Sequence, residues 1–124
     1  MVLQTRDIEQ LAQSYIKYAL AKTDEEREAI FDVGMNEIDR IQFESPDDLW
    51  LIILKIHALT DDPQVLSLLS AGLLENLLSL FPSQSIDWVE EQARKDPRFK
   101  KLLRGVWQNL MSDETWQRVQ KLIG

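Results

Sequence analysis

The sequence predicts an all-α fold, and three observations support that prediction. Apolar residues recur every three to four positions along nearly all of the 124 residues, which is the periodicity of amphipathic helices. Dipeptides in which Ser or Asp precedes Pro mark several helix starts. The chain also repeats itself, because Asp62-Pro63 recurs 34 residues later as Asp96-Pro97, and Asn76 recurs 33 residues later as Asn109. A repeat of this period is typical of stacked helical hairpins. We therefore expect a single compact domain of about six or more helices, stacked as antiparallel hairpins in the manner of HEAT or armadillo repeats.

An acidic helical hairpin is predicted for residues 1–44. The first helix begins near Thr5 and ends just before Thr23, with its apolar residues on one face. Thr23 and Glu26 then form a capping box, in which the hydroxyl and the carboxylate each accept a hydrogen bond from a free backbone amide. The second helix starts at this box and extends to about Gln42. The two helices are expected to be antiparallel because few residues separate them.

Two hairpin units and a closing helix are predicted to follow. The first unit, residues 45–81, begins with Ser45-Pro46, where serine caps the helix and proline occupies a position at which its missing N–H costs nothing. The β-branched isoleucines of this segment also fit a strand, but their spacing and the caps outweigh that alternative. The second unit spans residues 82–111, and residues 112–124 form a closing helix capped by Ser112.

Gly72 and Gly105 occupy the same place in the two copies of the repeat, inside apolar stretches. Glycine costs about 1 kcal/mol relative to alanine within a continuous helix. A kink, or a break into two short helices, explains both glycines and the one-residue difference in length beside them. The spacing of the leucines around Gly72 also fits a continuous helix, so the sequence leaves both alternatives open.

Composition excludes several classes of protein. Hydrophobic residues make up 44% of the chain and charged residues 28%, as in a globular protein rather than a disordered one. Cysteine is absent, which excludes disulfides, thiolate nucleophiles and cysteine-based zinc sites. No apolar run approaches the roughly 18 residues of a membrane span, and the N-terminus lacks a basic start followed by an apolar core. We therefore expect a cytoplasmic protein that does not associate with a membrane.

The net charge of −7 is unevenly distributed. Residues 1–62 carry 14 acidic and 6 basic side chains, a net charge of −8, whereas residues 63–124 carry 7 acidic and 8 basic side chains, a net charge of +1. An acidic field repels the phosphate backbone, so we expect no nucleic-acid partner. A local basic cluster is interpreted as a helix C-terminus and a solvated face, and it comprises Arg94, Lys95, Arg98, Lys100, Lys101 and Arg104.

No residue is predicted to be catalytic or to hold a cofactor or a metal. His57, the only histidine, lies at the edge of an apolar stripe four residues after Ile53, which favours a packed histidine over a catalytic base. The residue three before it is Leu54, so the Glu-x-x-His pattern of a helical di-iron site is missing. The carboxylates concentrate at predicted helix starts, where capping and the helix dipole favour them.

The candidate site is a partner or ligand groove built from Arg104, Trp107, Asn109, Trp116 and Arg118. The two tryptophans lie nine residues apart across a capped turn and can share a groove, with an arginine at its rim. Packing of both indoles in the core is the plainer alternative. Asn109 and Asn76 share one slot of the repeat, which predicts a repeated structural hydrogen bond, made by ending a helix or by bonding neighbouring backbone.

Three segments carry a family resemblance: Ala71-Gly72, Asp96-Pro97-x-Phe99, and Gly105-Val106-Trp107-Gln108-Asn109-Leu110-Met111-Ser112-Asp113-Glu114-x-Trp116-x-Arg118-Val119. On these residues, mainly within 71–119, the chain resembles a family of small uncharacterised bacterial proteins defined only as a domain of unknown function. The resemblance implies an all-helical bacterial domain and no assigned activity.

The sequence favours a noncatalytic protein-interaction module, because stacked hairpins bury a core and leave surfaces for partners. The acidic N-terminal half favours a more specific alternative, an immunity- or antitoxin-like protein that neutralises a basic toxin. An enzyme or small-ligand-binding protein is another alternative; it requires a concave site where polar residues converge, and exposure of His57 in a pocket beside two carboxylates would favour it. The last alternative is a self-associating structural protein, which exposure of both Trp50 and Trp88 on one face would favour. The oligomeric state stays open.

Overall fold

The structure, a computed structural model, describes residues 5–30 and 34–123 and is helical nearly throughout. The described parts of the chain contain no strand, so the all-α prediction is confirmed. The α-helices are α1 (Thr5–Leu20), α2 (Asp24–Ile30), α3 (Asn36–Glu44), α4 (Pro46–Leu59), α5 (Pro63–Leu69), α6 (Glu75–Leu80), α7 (Pro82–Lys95), α8 (Pro97–Leu103) and α9 (Asp113–Ile123), and a π-helical turn (Ser70–Leu74) joins α5 to α6.

Helix α4 lies at the centre of the fold. Its inward residues Leu49, Ile52, Ile53 and Ile56 have no exposed surface. It packs most extensively against α1 and also contacts α3, α6, α7 and the π turn. Burial of the isoleucines on several sides explains why β-branched residues are accommodated in a helix here, since tertiary packing outweighs a weak local preference. The helices form one compact domain around this core.

Most of the predicted helix caps are confirmed. The Thr23 hydroxyl accepts a hydrogen bond from the Glu26 amide at 3.1 Å, and the Glu26 carboxylate accepts one from the Lys22 amide at 3.2 Å. The Thr23 cap is as predicted, and Glu26 does reach back to a free amide, but that amide belongs to Lys22, one residue before the Thr23 amide of a strict capping box. Three further predicted caps accept hydrogen bonds from backbone amides of the following helix: Asp62, Asp96 and Ser112.

Ser45 does not cap α4 in the predicted way. Its hydroxyl donates a 2.8 Å hydrogen bond to the carboxylate of Asp48, and its side chain accepts none from the helix amides. A carboxylate three residues ahead is a stronger acceptor than water for that hydroxyl proton, and Asp48 is buried. The predicted start of the helix is correct, with Pro46 in its first turn, but the predicted hydrogen bond is wrong.

The two copies of the repeat differ at their glycines. In the first copy the helical path is continuous from Pro63 to Leu80, and Gly72 lies in the π turn, which accommodates the extra residue of that copy. In the second copy α8 ends at Leu103 and Gly105 follows the helix. The continuous alternative is therefore realised at Gly72 and the break at Gly105.

The predicted second helix corresponds to two described helices, α2 and α3, and residues 31–33 between them lie outside the described residues. The most extensive contact of α1 is with α4 rather than with α2. Helices α7, α8 and α9 pack against one another. The division of the chain into hairpin units at 45–81 and 82–111 stays a prediction.

Candidate functional site

The loop between α8 and α9 presents two of the predicted groove residues to solvent. Trp107 is 70% exposed, which contradicts core packing of this indole. Asn109 adopts a left-handed backbone conformation with φ of 41°, a region that asparagine tolerates better than most residues. Its Nδ2 donates a 2.7 Å hydrogen bond to Oε2 of Glu75. Leu110 follows it and is 89% exposed.

The other three predicted groove residues have separate surroundings. Arg104 is exposed directly after α8. Trp116 is half-buried and packs against the hydrophobic core. Arg118 of α9 forms ion pairs with Asp87 and Glu90 of α7, and its hydrogen bonds to those carboxylates raise its pKa. Arg118 therefore joins two helices of the scaffold.

Glu75 is a functional candidate that the sequence analysis missed. Its side chain is 7% exposed, although it carries a carboxylate within an apolar segment. Besides the Asn109 amide it accepts a 3.0 Å hydrogen bond from the backbone amide of Trp107. The neighbouring Asn76 donates a 2.6 Å hydrogen bond to Oε1 of Gln42 in α3. Adjacent polar residues in a leucine-rich stretch are the signal that points to this pair in the sequence.

Both repeat-related asparagines therefore bond side chains, and the predicted bonds of Asn76 and Asn109 to backbone groups are wrong. Asn76 lies within α6 and does not end a helix. The two asparagines nevertheless line the same cavity, beside Glu75. The repeat thus brings two amides and a buried carboxylate to one place.

Exposed apolar side chains surround these polar groups. Phe43 of α3 is 66% exposed and Leu80 at the end of α6 is 44% exposed, and both line the cavity together with Leu110. The cavity has a volume of about 660 Å³. We call it the Phe43 groove, and its residues are Phe43, Glu75, Asn76, Ser79, Leu80, Asn109 and Leu110. Of the five predicted groove residues only Asn109 lines it.

A second cavity, of about 430 Å³, lies between the end of α4, α5 and α8. We call it the His57 cavity, and its residues are His57, Asp61, Pro63, Leu66, Ser67, Ser70, Arg98, Lys101, Leu102 and Gly105. Its walls are mainly apolar, and the charged side chains among the described lining residues are Asp61, which follows α4, and Arg98 and Lys101 of α8. None of the five predicted groove residues lines it.

His57 forms part of the inner wall of this cavity. The side chain is 4% exposed, and the imidazole meets the ring of Phe99 edge-on at a centroid distance of 5.7 Å. Burial, followed by repulsion from the Arg98 guanidinium, lowers the pKa of His57. Exposure of His57 beside two carboxylates, the observation that would favour an enzyme, is not found: His57 is buried, and Asp61 is the single carboxylate among the described residues that line this cavity.

Arg98 fixes the end of α4 against α8. Its Nη2 donates to the backbone oxygen of His57 at 3.0 Å and to that of Thr60 at 3.3 Å, and it also bonds the carboxylate of Asp61. These carbonyls lie at and just beyond the helix end, where no backbone amide follows to satisfy them. Arg98 was predicted to lie on a solvated face, and its contacts give it a structural role as well.

Trp50 and Trp88 stack on each other with ring centroids 6.2 Å apart. Both are half-buried, and Trp50 also meets the ring of Phe99 edge-on. The condition set for self-association, exposure of both indoles on one face, is therefore not met.

Within the described residues no group of three or more histidine and carboxylate side chains is placed to hold a metal ion. None of the helices that the structure describes combines the length and the apolar character needed to cross a bilayer.

Comparison with known proteins gives a match to one protein family. No curated protein matches the chain, and no solved structure matches it. Residues 19–123 match a family described as "Family of unknown function (DUF6869)", which extends the resemblance well beyond residues 71–119. The match covers most of the chain, and the matched residues that the structure describes are helical nearly throughout. The chain therefore belongs to this family of unknown function.

Proposed function

We propose that this protein is a protein-interaction module whose binding surface is the Phe43 groove. The observation that carries the proposal is the convergence of exposed Phe43, Leu80 and Leu110 from three separate elements on one cavity. Large apolar side chains that stay exposed after folding gain little free energy from folding itself. They gain it when a partner covers them and removes their apolar surface from water. Aromatic and aliphatic anchors around a pocket are also typical of the energetic centre of an interface.

The polar floor of the groove supports this proposal because its geometry is fixed before binding. Glu75 holds the loop through Trp107 and Asn109, and Asn76 holds α3 through Gln42. Each of these bonds joins residues 32 to 34 positions apart, so they tie distant segments together. A surface that is already ordered pays less conformational entropy when it binds.

Charge indicates the chemistry of the partner. Residues 1–62, which include α3 and Phe43, carry a net charge of −8. On α3 the cation Arg40 is paired with both Glu37 and Glu44, so it adds no free positive charge beside the groove. We propose a partner segment with an apolar side chain for the groove and basic side chains for the acidic helices, because complementary charge accelerates association.

The same charge favours a second candidate, an immunity- or antitoxin-like inhibitor of a basic protein. This candidate is a narrower form of the first, since it uses the same surface and adds that binding neutralises the partner's activity. It predicts association that weakens as salt rises, because exposed charges are screened within roughly 10 Å at 0.1 M ionic strength.

The experiment is affinity capture from the organism that encodes the chain, at low and at moderate salt. We expect a basic protein to be retained, in an amount that falls with salt. Retention of an acidic protein, or retention that is independent of salt, would remove the inhibitor candidate. If the wild-type chain retains no protein at either salt concentration, the interaction proposal itself is wrong.

A further inference from the structure

We infer that the His57 cavity binds a small organic anion, that is, an apolar body carrying one negatively charged oxygen group. This inference is independent of the Phe43 groove, because the two cavities share no residue. It rests on the shape of the cavity, on the unused hydrogen-bond donors of Arg98 and Lys101, and on the position of the His57 ring.

The size and walls of the cavity suit a small organic molecule. Its volume of about 430 Å³ lies within the usual range of small-molecule sites, roughly 300–1,000 Å³. Pro63, Leu66 and Leu102 supply apolar wall. Ser70 is already engaged, because its hydroxyl bonds the carbonyl oxygens of Leu66 and Leu102. The apolar body of a ligand would therefore lie against aliphatic surface rather than against unsatisfied polar groups.

Arg98 offers a guanidinium that is fixed but only partly used. Its Nη2 makes all three of its hydrogen bonds, to His57, Thr60 and Asp61. Its Nε and Nη1 donate to no other described residue. A guanidinium held in one orientation presents its remaining donors to an oxyanion at little entropic cost, and such charge-assisted bonds are strong.

Lys101 adds a second cation one helical turn further along α8. No ion pair joins it to a carboxylate in the part of the chain that the structure describes. Asp61, the single carboxylate among the described residues that line the cavity, is already bonded to Arg98. The charged lining therefore has one cation more than it has anions, although the whole chain carries a charge of −7.

The His57 ring supplies a polar edge at the inner wall. It is almost fully buried, and one side of the ring is already hydrogen-bonded to the backbone of Arg98. The charged groups around it are the cations Arg98 and Lys101 and the carboxylates Asp61 and Asp96. A bound anion would favour the imidazolium form, since an opposite charge nearby stabilises the charged state of a base.

Nuclear magnetic resonance of the full chain tests this inference directly, because His57 is the only histidine and its ring signals need no further assignment. The probe is phenyl phosphate, and phenol supplies the same ring without the charge. We expect phenyl phosphate to shift the His57 ring signals saturably and to raise the pH at which the ring titrates. We expect phenol to do neither at equal concentration.

Lys101→Gln is the diagnostic variant, and Lys100→Gln is its matched control, because Lys100 is exposed on the same helix but does not line the cavity. Lys101→Gln should weaken phenyl phosphate binding about tenfold, as expected for the loss of one charge-assisted hydrogen bond, while the control stays near wild type. Three results would overturn the inference: no saturable shift at millimolar phenyl phosphate, an equal shift with phenol, or equal weakening by the two variants.

Discussion

The carboxylate of Glu75 and the side-chain amide of Asn109 form a 2.7 Å hydrogen bond that attaches the α8–α9 loop to α6. The same carboxylate accepts the Trp107 amide, so one buried side chain holds the loop at two points. Asn109 meets it from a left-handed backbone conformation, and Leu110 directly after it points its apolar surface to solvent. The exposed anchor of the Phe43 groove thus depends on a buried charge.

Replacing Glu75 tests this attachment. Glu75→Ala leaves the Trp107 amide and the Asn109 side chain without their acceptor, and we expect the free energy of unfolding to fall by about 1–3 kcal/mol. Urea denaturation measures the change. Glu91→Ala is the matched control, because Glu91 is exposed on α7 and has no ion pair with the described residues. Equal effects of the two substitutions would show that the Glu75 bonds contribute nothing to stability.

The two repeat-related glycines should respond differently to alanine. A Cβ atom on Gly105 would lie 2.8 Å from Cβ of Ser70, whose hydroxyl is committed to two carbonyls, so we expect Gly105→Ala to cost about 1–3 kcal/mol. At Gly72 the nearest atom is the Tyr15 hydroxyl oxygen, at 3.4 Å. Gly72→Ala should therefore be neutral or stabilising by up to about 1 kcal/mol, and thermal unfolding compares the pair. The reverse order of stability would contradict the assigned packing.

Arg118 should couple α9 to α7 more strongly through Glu90 than through Asp87. The side chain of Glu90 is 16% exposed and that of Asp87 is 73% exposed, so water screens the second pair more. A double-mutant cycle with alanine should give about 0.5–1 kcal/mol for Arg118 with Glu90 and less for Arg118 with Asp87. Both values should fall in high salt. Zero coupling in both cycles would free Arg118 for the groove role that the sequence suggested.

The stability of the fold should decrease on mild acidification because of His57. Burial and then the Arg98 guanidinium lower its pKa in the folded chain, while Asp96, a hydrogen bond to the Arg98 backbone and Asp61 act in the opposite direction without reversing the shift. The unfolded chain therefore binds a proton at higher pH than the folded chain does. Stability from this group is fully present above the ordinary pKa of 6.5 and is lost as the pH falls through the folded pKa.

His57→Gln removes that titration, so we expect a flatter dependence of the unfolding free energy between about pH 7.5 and pH 5.5. Urea titrations at several pH values measure both slopes. An identical slope for wild type and variant would mean that the His57 pKa is not lowered by folding.

Local signals predicted most of the helix starts, although not that of α3. A capping residue needs only its own backbone neighbours, so Asp62, Asp96 and Thr23 could be placed from sequence alone. Ser45 shows where this reasoning fails. A buried carboxylate three residues ahead competes for its hydroxyl, and burial is a property of the whole fold.

The candidate site was predicted only in part, because its polar contacts join residues more than 30 positions apart. Asn109 was recognised from the repeat, but its partner Glu75 was missed: its place beside Asn76 in a leucine-rich stretch hints at burial, yet no local signal identifies a partner 34 residues away. Trp116 and Arg118 share a short segment with Asn109, yet helix α9 turns them toward the core and α7. Chain proximity is therefore a poor guide to which side chains share a groove.

The central claim is that a protein partner binds at the Phe43 groove, and the affinity of the captured partner for matched double variants tests it most directly. Phe43→Ala with Leu110→Ala removes two groove anchors, whereas Leu51→Ala with Leu68→Ala removes two exposed leucines that line neither cavity. All four side chains are exposed, so the folds should be unaffected within about 0.5 kcal/mol per site.

We expect the groove variant to raise Kd at least about tenfold, because buried anchors of an interface each contribute more than about 1 kcal/mol, and the control to bind like wild type. Equal affinity of the groove variant and the wild-type chain, with both variants folded, would contradict the assignment of the binding surface.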